Sequence, residues 1–495
     1  MHHALQIPEL LHKIFGYLTK KDQKQCVPVC KLWSEIALDY IWRVISPVEI
    51  AWTSLLAPLK QQPYIFESSP TGEAWNRFLS KYSKRIRRLS LVYFGRSDAS
   101  ALLSVMNQTR PQSLILPNLH TLGCFGQWKQ LDDTRMLMHD GIQVFTINTY
   151  LPQSHWELPL SNLLDLTETI QARMPRLTSL TMTVPTRQEF AEPLAALLEN
   201  LPVLTRIAIP SFKDISPILK SLSSSTVPQR LKFVGLMGAV SQVGPLGSEG
   251  HVALEELEIR AADTQTIIPL LPHLPNVRVL DITITSLDSN SKCLFGAISA
   301  HCTGLDTLKM AFLRGQHPFN FDVLQAIFPC VNITTLDILG GPVNMSDSDI
   351  VQIALAWPRL KKFRLSERLK VRDTVNNTPK TTLWAIFVLT RLCSQLKCIE
   401  LSMNTSPRDI PPFDTSFLPS GFQAAQSASL DVMHFDYSKL EQGDELVLVD
   451  LLDRVLPVHC SVQSRQFDPQ QNRRWRTLVR MFPRSSRDSD ERLAE

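Results

Sequence analysis

Residues 277–310 read VRVLDITITSLDSNSKCLFGAISAHCTGLDTLKM, and the stretch holds one phrase twice. Val277, Leu280 and Ile282 follow the order L-x-x-L-x-L, and Leu305, Leu308 and Met310 follow it again. The end of each phrase alternates apolar with variable positions, the period of a strand with one buried face. Between the copies, Cys293 to His301 has the apolar spacing of a helix. In both directions the phrase returns, starting at Ile86, Leu119, Ile142, Leu177, Leu204, Leu231, Leu254, Val277, Leu305, Ile333, Leu360, Leu396 and Leu430. The steps are uneven, longest from Leu360 to Leu396, but they centre near the period of a solenoid.

Helix-like stretches fall between the phrases at 162–172, 192–201, 215–222, 293–301, 321–328, 349–356, 383–392 and 445–456. Pro175, Pro202, Pro275, Pro329 and Pro358 stand just before the next phrase, where proline stops a helix. Each unit therefore reads as helix, tight turn, strand. No single unit buries its apolar face, so neighbours must stack around one parallel sheet.

The N-terminus is different. Residues 7–18, IPELLHKIFGYL, place Leu10, Leu11, Ile14, Phe15 and Leu18 at helical spacing behind Pro8, a first-turn residue. After a polar break at 19–23, Val29, Cys30, Lys31 and Trp33 lead into a second apolar run ending near Ile41. So small a hairpin cannot cover both its faces, and leftover apolar surface asks for a partner.

Ile7-Pro8-Glu9-Leu10-Leu11, Ile14-Phe15, Tyr17-Leu18, Asp22, Val29-Cys30-Lys31 and Trp33 together resemble the F-box, with Ile7 standing where Leu is usual. The continuation through Trp42 and Leu59 is similar to F-box proteins abundant in mushroom-forming fungi, and the later phrases resemble leucine-rich repeats. The Asn or Cys that normally follows the third Leu is mostly missing, which implies an irregular horseshoe. The resemblance implies that Ile7, Pro8, Leu10, Leu11, Ile14, Phe15, Leu18 and Val29 face or support a Skp-type adaptor, and through it cullin and RING subunits. The expected class is α/β: a short helical F-box at 1–46, linker helices at 47–84, a leucine-rich-repeat-like solenoid at 85–460 with its parallel sheet on the inner face, and a basic, partly disordered tail at 461–495. Within that tail, Arg473, Arg474, Trp475 and Arg476 suggest a capping helix.

The third and fifth positions of each phrase point away from the buried leucines and toward the inner face. They nominate Arg206, Phe233, Glu256, Glu258, Asp281, Lys309, Lys362 and Arg364 as client-binding residues, with Arg88 and Asp337 on the same face. This reads as an acidic middle followed by a basic stretch that Lys361, Arg368, Lys370 and Arg372 extend, a candidate for capturing phosphate or acidic peptide.

Composition narrows the rest. Of 495 residues, 44% are hydrophobic and 20% charged, as in folded proteins, and a formal charge of +4 gives no ground for nucleic acid or membrane as main partner. Nine scattered cysteines read as buried thiols in a reducing compartment, so the expected location is cytoplasm or nucleus. No phosphate loop, nucleophile elbow or H-E-x-x-H is present, and the spacing of Cys26 and Cys30 beside His2, His3 and His12 fits no metal finger. No catalytic residue, cofactor or metal is expected. The sequence therefore reads as the substrate receptor of a ubiquitin ligase, with a non-degradative scaffold or an enzyme with an unrecognised site as rivals.

Overall fold

The computed structural model describes residues 6–46, 50–60, 65–93, 100–126, 131–149, 159–223, 227, 229–234, 239–244, 253–285, 290–313, 319–341, 343–367, 379–409, 429–436, 438–457, 459–465 and 468–481. They fall into two compact units, 1–212 with 217–238, and 213–216 with 239–495. The expected basic extension at Arg368, Lys370 and Arg372 lies outside the described residues, as does everything after Met481.

The first unit opens with three helices, α1 (Pro8–Tyr17), α2 (Lys20–Cys26) and α3 (Lys31–Arg43). Pro8 starts α1 where its missing N–H costs nothing, and the Thr19 hydroxyl caps α2 by accepting from the Asp22 N–H. The chain leaves α3 directly into a two-residue strand, Val44–Ile45, which pairs parallel with Arg88–Tyr93. The expected linker helices at 47–84 are a 3-10 turn (Ile50–Leu55), an antiparallel pair (Leu59–Lys60 with Ile65–Phe66) and one helix, α4 (Gly72–Lys81). From Arg88–Tyr93 the parallel sheet grows in chain order through Thr121–Gly126, Val144–Asn148, Ser179–Thr183, Arg206–Pro210 and Gln229–Val234.

The second unit repeats the plan. Leu254–Ala261, Val279–Ile284, Thr307–Phe312, Thr335–Gly340, Lys362–Glu367, Cys398–Leu401, Val432–His434 and Ser461–Gln463 pair parallel in that order. All eight expected helices are present across the two units within a few residues, for example Ser291–His301 and Asp347–Ala356. Ser346 and Asp349 close the latter's first turn reciprocally. The architecture is thus a helical N-terminal domain followed by parallel sheet with a helix or turn before each new strand, an α/β solenoid-like repeat.

Register explains the core. Leu257, Leu280, Leu308, Leu336, Phe363, Ile399, Met433 and Val462 stand side by side on consecutive strands, and all are buried. Burying one such side chain stabilises by roughly 1.5–3 kcal/mol. A second column runs through the turns, three residues before the phrases that start at 142, 305, 333, 360 and 396, where a side chain donates to the same turn of the preceding repeat. His139 Nε2 contacts the Leu116 carbonyl at 3.0 Å, Cys302 Sγ that of Leu274 at 3.7 Å, and Cys330 Sγ that of Cys302 at 3.6 Å. Trp357 Nε1 then reaches the Cys330 carbonyl at 3.0 Å, and Cys393 Sγ that of Trp357 at 3.6 Å. These turn carbonyls are buried, so an absent donor would cost stability. In the repeats from 274 to 393, the place of the missing asparagines is thus taken by donors at the other end of the phrase. Burial pushes the Cys302 and Cys393 thiols up to about 12, which keeps them protonated donors.

Two boundaries differ from expectation. Ser461–Gln463 continues the sheet, and the helix Pro469–Met481 packs Trp475 against Phe435 with ring centroids 4.7 Å apart, so the expected tail is folded as far as Met481. At the other end, Val44–Ile45 belongs to the sheet and not to a free-standing helical domain. In the strand Ser461–Gln463, Val462 aligns with Met433, and His459 and Ser464 then stand where the phrase has apolar residues. Among the described residues no helix is long and apolar enough to cross a membrane.

Candidate functional site

The N-terminal helices divide their apolar residues between two destinations. Leu11 and Phe15, four apart on α1, are fully buried with Ile36 and Ala37 of α3. Trp33 meets Phe15 edge-on with centroids 5.6 Å apart, and the Tyr40 hydroxyl donates to the His12 carbonyl at 2.6 Å. The buried Gln23 side chain donates to the carbonyls of Phe15 and Leu18, both at 3.0 Å, and satisfies the end of α1. The core is therefore complete without the remaining apolar residues.

Those others face out. Leu10 is 40% exposed, Ile14 41% and Tyr17 92%, a stripe at i, i+4 and i+7, with Pro8 and the 48%-exposed Val29 also at the surface. Of the eight residues expected to serve an adaptor, Pro8, Leu10, Ile14 and Val29 are accessible, and Ile7 and Leu18 are half-buried. Leu11 and Phe15 belong to the domain's own core, because helical geometry turns them away from Leu10 and Ile14. Tyr17, the most exposed of the group, was not among the expected residues.

This domain is fixed to the first repeat. The Arg85 guanidinium pairs with both Glu35 and Asp39 of α3 and donates to the Glu35 carbonyl at 2.9 Å. Burial opposes the charge on Arg85, but the two carboxylates outweigh it and raise the pKa. Lys20 reaches the Val44 carbonyl at 3.0 Å, and Trp42 lies against Tyr82 with centroids 5.0 Å apart.

The open face of the sheet carries most of the expected client-binding residues, with one correction. Phe233 is buried beside Leu231, since Ile207 pairs with Leu231 and Ile209 with Phe233. In this copy Leu231 takes the fourth position of the phrase, not the first, and the face receives Arg230 and Lys232 instead. A strand read in the wrong register exchanges its faces. Arg206 is exposed on the same sheet.

In the second unit the register aligns Glu258, Asp281, Lys309, Asp337, Arg364, Glu400 and His434 across seven strands. Lys309 lies 3.6 Å from Asp281, Lys362 2.6 Å and Arg364 3.6 Å from Asp337, and Arg364 Nε 2.7 Å from Glu400. Arg465 adds a contact of 3.2 Å to the other Glu400 oxygen. Glu258 and Asp281 are adjacent acids, and from Asp281 to Glu400 the charges alternate and neutralise one another sideways. Lys362 and Arg364 are engaged within this run. Glu400 and His434 were not nominated for this face although both sit at the fifth position of their phrases.

Glu400, His434 and Asp436 are all buried and bring potential ligand atoms within 4.8 Å of one another. The arrangement opposes a cation. Both Glu400 oxygens hold guanidinium groups, and the Asp436 N–H donates to His434 Nδ1 at 2.9 Å, which puts the neutral ring's proton on Nε2 and leaves no lone pair there. Burial, against the Glu400 charge and aided by Arg465 and Arg364, pulls the His434 pKa down to about 4. A polar cleft of about 460 Å³ in the same unit is lined by Asp214, Gln242, Asp263 and Thr266. Its carboxylates cap local turns: Asp214 accepts from the Ser216 N–H and Asp263 from the Thr266 N–H, each at 2.8 Å.

Among solved structures, the chain is similar to one described as the Rad7 and Elc1 complex in yeast, with 14% identity, a TM-score of 0.38, and coverage of 70% of this chain and 92% of that one. It is also similar to a Bacteroides fragilis protein solved by a structural genomics consortium, with 12% identity, a TM-score of 0.30, and coverage of 65% and 76%. No curated protein matches the chain. Residues 8–47, which span α1 to α3 and the strand that follows, match the F-box-like family, and this N-terminal unit is an F-box-like domain.

Proposed function

We propose that the chain is the client-recognition subunit of a Skp/cullin/F-box ubiquitin ligase, built as an F-box-like domain on a leucine-rich-repeat-like receptor of the type abundant in mushroom-forming fungi. A Skp-type adaptor grips the outward stripe of α1, cullin and RING subunits follow, and the sheet face holds the client so that the other subunits modify it. The chain makes no bond itself and acts by proximity. Its place is the cytoplasm or nucleus, which free cysteines fit.

The observation that carries this reading is the exposure of Leu10, Ile14, Tyr17 and Val29 on a domain whose core is already closed by Leu11 and Phe15. A contiguous apolar stripe left in water favours cover by another protein. The test is capture of the adaptor by a Leu10→Ala, Ile14→Ala, Val29→Ala triple variant. Losing three interface side chains at about 1–2 kcal/mol each should abolish co-purification while the circular dichroism stays that of the wild type. Undiminished capture would sink the reading.

A further inference from the structure

Two helices beside the last strands of the second unit carry opposite charge. Residues 439–455, the helix Glu445–Val455 with its lead-in, hold five acids against Lys439 and Arg454. The helix Pro469–Met481 holds four arginines and no acid. The two helices pack side by side. The turn at 438–440 fixes the arginine helix in place: Trp475 Nε1 donates to the Ser438 carbonyl and Arg474 to that of Leu440, both at 2.9 Å. The Gln471 amide accepts from the Leu440 N–H at 2.8 Å and donates to the Leu440 carbonyl at 3.2 Å.

Arg473, Arg476 and Arg480 fall within about 60° of one another around their helix, opposite the buried Trp475 and Leu478, and the stripe runs about 10 Å along it. All three are exposed, and among the described residues none of them meets a carboxylate. On the neighbouring helix Leu446 is 71% exposed, the most of any described leucine, and Val447 is 51% exposed. The exposed Glu441 and the half-buried Asp444 stand just ahead of them, so the apolar spot has an acidic edge. Within one chain the opposite charges of the two helices lie close together and go unpaired. Elsewhere the fold spends its cations at home: Arg85, Lys309, Lys362 and Arg364 are each held by an acid.

We propose that these two helices form the interface of a two-fold dimer, in which the arginine stripe of one copy covers Glu441, Asp444, Leu446 and Val447 of the other. A two-fold axis repeats the contact, so both stripes and both apolar spots are used and none is left to recruit a third copy. Arginine suits the task because its aliphatic stem lies over leucine and valine while its guanidinium reaches the acids at the edge. A second copy answers both patches at once. Nucleic acid would answer the arginines alone and leave Leu446 and Val447 in water, and a net charge of +4 over 495 residues supplies no extended field to attract it.

The test is sedimentation velocity of the full chain across a dilution series. The wild type should move from the mass of one chain to that of two as concentration rises, and salt at about 1 M, where screening leaves a range of about 3 Å, should return it to one. An Arg473→Glu, Arg476→Glu variant and a Glu441→Arg, Asp444→Arg variant should each weaken association about tenfold or more. Mixed together, the two variants should pair again, because the reversed stripe of one meets the reversed edge of the other while the unreversed patches also match. Misfolding cannot produce that rescue. A wild type with the mass of one chain at every concentration would overturn the proposal, as would a mixture that stays as single chains or a dimer that both variants leave unchanged. A single-stranded oligonucleotide that binds the wild type but not the arginine variant, the protein remaining a single chain, would assign the stripe to nucleic acid and overturn it too.

Discussion

The guanidinium of Arg85 is clasped by the carboxylate of Glu35, fifty residues earlier, and this contact ties the last helix of the F-box-like domain to the turn before the first repeat. Arg85 is 15% exposed and Glu35 56%, so the pair is partly screened. Arg85 also donates to backbone carbonyls at Glu35 and Lys81. The expected outcome of Arg85→Ala is a loosening of α3, seen as faster amide exchange across 31–43, at a cost of about 1–2 kcal/mol. Glu35→Gln should cost less, because Asp39 keeps its contact. Unchanged exchange in the arginine variant would refute the clasp.

Leu10 and Leu11 are neighbours with opposite duties. Leu11→Ala should destabilise the F-box-like domain by roughly 2–5 kcal/mol, as a cavity in a small core does. Leu10→Ala should leave the melting curve nearly unchanged and weaken adaptor binding. Thermal denaturation and adaptor titration on the same two proteins separate the effects, and a reversed pattern would contradict the placement of α1.

The charge ladder of the second unit is unequal along its length. Asp337, 14% exposed, holds both Lys362 and Arg364, whereas Lys309 and Asp281 are 45% and 31% exposed. Asp337→Ala leaves the partly buried Lys362 without its acid and Arg364 with Glu400 alone, and should lower stability by about 1–3 kcal/mol. Lys309→Ala should stay within about 0.5 kcal/mol. Chemical denaturation of the two variants checks the order.

His434 supplies a pH dependence. Its folded-state pKa, about 4, lies below the ordinary value of 6.5, so the unfolded chain binds the proton more readily. The contribution is fully present above about pH 6.5 and is lost as pH falls toward 4, at no more than roughly 1.4 kcal/mol per pH unit. His434→Asn keeps an acceptor for the Asp436 N–H and removes the titration. Its stability should fall less steeply over that window, and an identical slope would assign the dependence elsewhere.

Much of the repeat architecture was written in the periodicity. Val277, Leu280 and Ile282 recur in form because a stacked strand needs the same side buried each time, and the prolines at 175, 202, 275, 329 and 358 mark where helices end. The failures have equally physical origins. At Leu231 two registers three residues apart both offer apolar residues, and only pairing with Ile207 and Ile209 decides between them. The charges at Asp281, Lys309, Asp337 and Arg364 were visible, but a list taken strand by strand hides that neighbours neutralise one another. Cys302, Cys330, Trp357 and Cys393 stood in a column that the eye takes for core packing, while their polar atoms serve the preceding turns. On α1, helical spacing could not tell which of two adjacent leucines faces inward until α3 was in place.

The strand Val44–Ile45 makes the end of α3 the first rung of the sheet. In the first unit each further strand then lies one sheet spacing, about 4.8 Å, farther from that helix. Under the proposed receptor function, the face works as a ruler whose zero mark is the F-box-like domain: the rung on which a client segment settles sets how far its lysines stand from the machinery that modifies them.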